Sequence, residues 1–422
     1  MYFDRKWYLN QLIAKKNNAL IKVITGARRS GKSYLMNQIF YGSLLKDGVK
    51  EKNIIRFAFD NDEHLDLLDS FYPEEKTKIS VGKDAYVVNS KKFRAYIKSV
   101  TNDTEKFYLL LDEIQLLESF VGTLNGFLSH ANFDVYVTGS NSQLLSSEIE
   151  TKFRGRKSSI HLLPLSFSEF VSGSQLSPDL AWKKYIVTGG IPIVYQQKEE
   201  DRESYLMDLC QETYLKDIIG RKHVKDGDTL SDLFGVLASC VGSGVSPSSL
   251  EKAFRARKSV SVSDDTIATY IHHFEDAFVV SIANKYNIKG RAYINTPFKV
   301  YFEDIGVRNA RTNFSQIEET HLMENIIYNE LRAIGYTVFA GKTYKGEIDF
   351  VAINGRKKCF IQVAYYLAGK ETIEREFGAF KPISDASPKY VLSLDRFDYS
   401  RDGIAHINIV DFLLGKQDIN LS

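Results

Sequence analysis

Three observations predict an α/β fold in which a mostly parallel sheet carries a phosphate-holding turn. The stretch Gly26-Ala27-Arg28-Arg29-Ser30-Gly31-Lys32-Ser33 spells G-x-x-x-x-G-K-S between the apolar Ile21-Lys22-Val23-Ile24 and the helix-like Tyr34-Leu35-Met36-Asn37-Gln38-Ile39. Phe107-Tyr108-Leu109-Leu110-Leu111 is a near-continuous apolar run that ends in Asp112-Glu113, the pattern of a strand buried on both faces with its acids at the carboxyl end. Phe133-Asp134-Val135-Tyr136-Val137-Thr138 is a third such strand, closing in the small polar residues Gly139-Ser140-Asn141.

In the first element, Gly26 and Gly31 let the backbone curl so that N–H groups and the following helix N-terminus face phosphates. Ser30 belongs to that cradle, Lys32 adds a point charge, and Ser33 offers a hydroxyl to Mg²⁺. The expected ligand is a nucleoside triphosphate. No guanine-reading N/TKxD motif is present, so the expected pair is ATP with Mg²⁺. Asp112 is expected to complete the metal site, and Glu113 to polarise the attacking water.

Between the two motifs, Asn53-Ile54-Ile55-Arg56-Phe57-Ala58-Phe59-Asp60 reads as a further strand. A strand between the Walker strands and a sensor strand after them is the order of the additional-strand P-loop ATPases, which include AAA+ proteins and signalling ATPases. The sensor residue expected at the strand tip is Asn141, with Thr138 or Ser140 as substitutes; the competing reading is an ordinary capped turn. In Phe153-Arg154-Gly155-Arg156, Arg156 is the arginine expected to reach a γ-phosphate, within or between subunits, unless it solvates a loop. Arg28 and Arg29 read as surface or partner-facing charges.

Taken together, GARRSGKS, LLLDEIQ, VYVTGSNSQLLSSEI, RGR, LPLSFSEF and GGIP resemble the prokaryotic AAA+-superfamily ATPases, in which a P-loop domain is followed by a domain of unknown function ending in a nuclease-like fold. The resemblance runs from about Lys22 to Leu414. It implies a P-loop domain over 1–165, a helical lid or linker over 166–227, a winged helix over 228–304, and a PD-(D/E)XK nuclease-like domain over 305–422.

The residues of the second half support these expectations separately. Ser246-Pro247 and Ser263-Asp264-Asp265-Thr266 start helices, the second with apolar Ile267, Ile271, Phe274 and Phe278 at helical spacing. Val279–Ile282 and Arg291–Ile294 flank the turn-like Asn287-Ile288-Lys289-Gly290, so helices precede a hairpin, and Lys285, Lys289, Arg291 and Lys299 make that wing basic. Such a wing lies along DNA phosphates in some proteins and serves protein contacts in others. His272 and His273 have no ligand-spaced partner and read as helix-surface residues.

An amphipathic helix over His321–Leu331 precedes strands around Thr337–Phe339, Glu347–Val351 and Cys359–Val363. Glu324, Asp349 and a residue on the next strand resemble the PD-(D/E)XK nuclease core, whose active members end in acid-x-Lys, with carboxylates on a metal and lysine orienting hydroxide. Here that place reads Gln362-Val363-Ala364, so Glu324, Glu347, Asp349 and Gln362 are expected to be a degenerate site without nuclease chemistry.

Composition narrows the class. At 422 residues with 44% hydrophobic content, several cores are available. No run approaches the ~18 apolar residues of a membrane span, and no apolar segment follows Met1–Lys6, so a cytoplasmic protein is expected. Cys210, Cys240 and Cys359 are too scattered for a disulfide framework or a zinc site. A net charge of +2 makes no global case for nucleic acid.

Three functions compete on this reading: an ATP-driven switch acting on DNA, a protein-recognising signalling ATPase with slow turnover, and an ATP-regulated nuclease. Arg221, at the junction of the helical region and the winged helix, either reports nucleotide state or pairs with an acid. No heptads or repeats mark an oligomer interface.

Overall fold

The computed structural model describes residues 3–81, 85–139, 153, 155–258, 262–290 and 292–419. The chain divides into two compact units, Asp4–Leu162 and Leu163–Ser422, the latter joined by Met1–Phe3.

The first unit is a parallel sheet of five strands: β1 (Ile21–Thr25), β2 (Ile54–Ala58), β5 (Phe107–Asp112), β6 (Phe133–Thr138) and β7 (Lys157–His161), in the order β2-β5-β6-β1-β7. A small antiparallel pair, β3 (Lys78–Ser80) and β4 (Tyr86–Val88), stands apart. The strand expected between the Walker strands, β2, lies there in sequence only; in space it is the outer neighbour of β5, and β6 is inserted between β1 and β5. That places the tip of β6 beside both Walker motifs.

Alternation of side chains divides the sheet into two apolar faces. Leu109, Leu111, Val135 and Val137 pack with Phe57, Phe93 and Leu124 on one face. Tyr108, Leu110, Tyr136 and Ile24 pack on the other with Leu35, Met36, Phe40 and Leu44, from the helical stretch after the phosphate loop, and with Tyr8 and Leu12 of helix Lys6–Ala14. That stretch is α-helical over Lys32–Tyr34, π-helical over Leu35–Phe40 and α-helical again over Tyr41–Lys46. Both faces being covered explains why β5 reads as a continuous apolar run.

The second unit is built around an eight-stranded mixed sheet ordered β15-β14-β13-β12-β11-β9-β10-β8. Its strands are β8 (Gly244–Val245), β9 (Val280–Asn287), β10 (Ala292–Phe302), β11 (Thr337–Lys342), β12 (Glu347–Asn354), β13 (Lys357–Val363), β14 (Lys389–Ser393) and β15 (Ile404–Asn408). The expected helices form at Pro247–Lys258 and Asp264–Asp276, with Ser246 and Ser263 hydroxyls accepting from Ser249 N–H at 3.1 Å and Thr266 N–H at 3.2 Å. The expected hairpin is β9–β10. It does not end a separate domain: β9 pairs in parallel with β11, and one apolar core runs from Leu165 to Ile419.

The GGIP phrase owes one glycine to a buried carboxylate and the other to a close backbone carbonyl. Asp304, 5% exposed, accepts from Gly190 N–H at 2.6 Å and Val307 N–H at 3.0 Å. A Cβ on Gly189 would lie 2.3 Å from an Asp304 oxygen, and one on Gly190 would lie 2.2 Å from the Leu165 carbonyl. Burial raises the Asp304 carboxyl to about 6, against the pull of the N–H groups of Gly190, Val307, Gly306 and Ile191.

Among the described residues no helix is long and apolar enough to cross a membrane. The three cysteines are free, and burial lifts the Cys210 and Cys359 thiols to about 12, where they are chemically quiet.

Candidate active site

The phosphate loop turns at the carboxyl end of β1. Gly26 has φ +145° and a Cβ there would stand 2.1 Å from the Leu162 carbonyl, so only glycine lets the loop pass. Gly31, at φ +97°, turns the chain into the helix that starts at Lys32. Lys32 is buried, its ammonium donating to the Gly26 and Ala27 carbonyls at 3.0 and 2.9 Å.

Asp112 shares the strand face of Tyr108 and Leu110, which turns its carboxylate toward the helical stretch after the loop. There it accepts from Asn37 Nδ2 at 3.3 Å, from the Thr138 hydroxyl, and from the Ser33 hydroxyl. Burial raises its pKa, the Thr138 and Ser33 hydrogen bonds oppose this, and the charges of Glu113 and Asp60 add to the rise. Glu113 follows with φ 51°, its N–H donating to Thr138 Oγ1 at 3.2 Å and its carboxylate accepting from Gln115. The left-handed backbone turns Glu113 out of the strand alternation, so that two consecutive acids need not share one environment.

The donor set fits a triphosphate with Mg²⁺ on two observations. Ser30 Oγ is fully buried within the loop and has no hydrogen-bond partner among the described residues, a donor that an anion in the loop would satisfy. Asp112, 6% exposed and hydrogen-bonded to Ser33, lies near two other carboxylates, an excess of negative charge that a divalent cation would neutralise.

The structure thus brings together Gly26, Ser30, Gly31, Lys32, Ser33, Asp112 and Glu113. Of the sensor candidates, Thr138 ties Asp112 to Glu113, while Asn141 and Ser140 lie outside the described residues. Arg156 is not near the loop of its own subunit. Its carbonyl accepts from Ile21 N–H at 2.9 Å, at the start of β1, whereas the loop leaves from the end of β1. Five residues of strand, about 16 Å, separate the two ends, so of the two arrangements expected for Arg156 the backbone disfavours action within one subunit.

Sequence reasoning missed Asn37 and Asp60. Partial burial first, then Glu113, raises the Asp60 carboxyl, while Arg28 and His64 pull it down, so Arg28 faces this acidic rim. Asn37 carried a signal, since it lies one helical turn beyond Ser33 on the same face.

In the second unit, Glu324 and Asp349 converge as expected, and Gln362 Oε1 accepts from Asp349 N–H at 3.3 Å. Glu347 does not join them; it is half exposed and paired with Lys285. Two cations read as wing charges are therefore not available to phosphates: Lys285 holds Glu347, and Lys299 is buried against Glu324 and Asp349. Lys289 is exposed at the turn, and Arg291 and the side chain of Arg221 lie outside the described residues.

Comparison with known proteins agrees with the first unit's geometry. Residues 18–171 match the family described as "AAA domain", and residues 179–318 match a domain of unknown function, DUF8612. An uncharacterized protein of Haemophilus influenzae is 31% identical over 97% of this chain and 98% of its own length. An uncharacterized protein of Methanocaldococcus jannaschii is 27% identical over 93% of this chain and 85% of its own. Solved structures with some likeness include Cdc6p from Pyrobaculum aerophilum, 12% identical with a TM-score of 0.32 over 77% of this chain and 94% of that one. They also include DnaA from Aquifex aeolicus bound to AMPPCP, 16% identical with a TM-score of 0.31 over 64% and 86%. At these identities and scores no function is carried over from them. The chain belongs to the same family as the Haemophilus influenzae protein, and its residues 18–171 match the AAA domain.

Proposed function

We propose that the chain hydrolyses ATP and uses the nucleotide state of its first unit to switch the activity of the second. The observation that carries this is the arrangement around Asp112, a buried carboxylate joined at once to the helix after the phosphate loop through Ser33 and Asn37 and to the sensor strand through Thr138. Ser33 and Asp112 would hold Mg²⁺, which when bound neutralises charge on the triphosphate. Lys32 leaves the loop carbonyls for the phosphates, Ser30 donates within the cradle, and Glu113 takes a proton from the attacking water. Thr138 bridges Asp112 and the Glu113 backbone, so a change at either acid is passed to the strand tip.

In the second unit we read the helices Gly227–Ser239, Pro247–Lys258 and Asp264–Asp276 with β8, β9 and β10 as a winged helix, and the helix Glu319–Ala333 with β11 to β14 as a nuclease-like fold without nuclease chemistry. With Lys285 and Lys299 occupied by acids, a protein partner is favoured over DNA for the wing. Arg156, if it serves a γ-phosphate, does so in a neighbouring subunit.

Equilibrium binding of a fluorescent ATP analogue with Mg²⁺ tests the site. Wild type binds, Lys32→Ala weakens binding at least tenfold, and Asp112→Asn removes the Mg²⁺ dependence. Equal binding by all three proteins would refute the site.

A further inference from the structure

The carboxylates of the nuclease-like fold enclose a cation that the sequence pattern does not put there. Lys299, on β10 and therefore outside the nuclease-like motif, extends its ammonium to 2.8 Å from Glu324 Oε1 and 3.6 Å from Asp349 Oδ1. Its side chain is 6% exposed, and its strand neighbours are Gly244 on β8 and Ala283 on β9, residues small enough to leave the lysine stem room. We infer that the Lys299 ammonium is the resident cation of this site and that the chain thereby closes its own nuclease-like centre to divalent metal.

One oxygen of each acid and the Gln362 amide oxygen already carry donors. Glu324 Oε1 accepts from both Lys299 and the Tyr301 hydroxyl. Asp349 Oδ2 accepts from Val363 N–H at 2.9 Å, and Gln362 Oε1 is held by Asp349 N–H. A metal within the ~2.0–2.6 Å reach of both acids would stand where the ammonium stands, and like charges at that separation repel strongly in a buried site. Lys299 also answers the missing charge at Ala364, but from a strand that ties the hairpin to the helix of Glu324. It acts as a counter-ion.

The inference rests on the nuclease-like reading of the fold for the place of the metal and is independent of ATP. Its test is Mn²⁺ titration of the nucleotide-free full chain, followed by calorimetry and Mn²⁺ paramagnetic resonance, with Asp349→Asn as the reference for ions held elsewhere. Wild type matches the reference, whereas Lys299→Ala gains an Asp349-dependent Mn²⁺ at least tenfold tighter, and the gain disappears in Lys299→Ala/Asp349→Asn. Lys299→Met keeps the packing of the stem and provides the same readout should the alanine variant not fold; its Mn²⁺ affinity must also exceed that of wild type. Asp349-dependent Mn²⁺ in wild type overturns the inference while strengthening the nuclease reading. Absence of Mn²⁺ from folded Lys299 variants overturns both.

Discussion

At the residue scale, charge burial explains more than exposure does. Asp304, Asp112 and Lys299 are each buried, and each is matched by oriented donors or counter-charges, as buried ionic groups must be. Glu330 is matched less well: burial raises it to about 8, with Glu169 adding to the rise. A carboxyl whose folded pKa lies above its unfolded value supports the fold fully below the unfolded value of about 4.3 and loses that support as pH rises to about 8. Glu330→Gln is therefore expected to gain Tm relative to wild type as pH rises, with a difference larger at pH 8.5 than at pH 5.5. A difference that stays constant across that range would show that Glu330 does not titrate as the burial implies. Of these residues only Asp112 was legible in the sequence. One chain read alone carries no sign that Asp304 caps the GGIP turn or that Lys299 meets Glu324, because those partners are far apart along the chain.

At the element scale, the strands and caps were legible wherever local chemistry decides them. The Ser246 and Ser263 caps, the β9–β10 hairpin and the apolar run of β5 all formed where side-chain pattern placed them. What the pattern left open was which strands neighbour one another. It is hydrogen bonding in the sheet that puts β2 at the edge and Arg156 at the far end from the phosphate loop. At that far end, β1 and β6 are joined by Lys22 and Asp134, a fully buried ion pair to which Tyr136 adds a hydrogen bond at 2.9 Å. Burial pulls the Lys22 ammonium down and Asp134 pulls it back up. Removing one partner strands the other, so Asp134→Ala is expected to cost the first unit about 3–5 kcal/mol in denaturant unfolding. The double change Lys22→Met/Asp134→Leu should recover most of that loss; equal losses in the single and double variants would mean that strand packing, and not charge, is what Asp134 supplies.

At the scale of the whole molecule, the chain is a unit matching the AAA domain and a larger unit in which the β9–β10 hairpin and the strands β11 to β15 share one sheet. β9 pairs with β11 across the division expected at 304/305. The candidate nucleotide site was legible to within one strand, since its chemistry needs a contiguous loop and one strand end; the second unit's site was legible in its acids and not in its cation. In the proposed reaction the first unit hydrolyses ATP through Lys32, Asp112 and Glu113. It is tested most directly by the steady-state ATPase rate of wild type, Lys32→Ala and Glu113→Gln, each with and without duplex DNA. Wild type is expected to hydrolyse ATP at a rate little affected by DNA, with a fall of roughly 10²–10⁴-fold in Glu113→Gln and loss in Lys32→Ala. A wild-type rate indistinguishable from that of Lys32→Ala would contradict it.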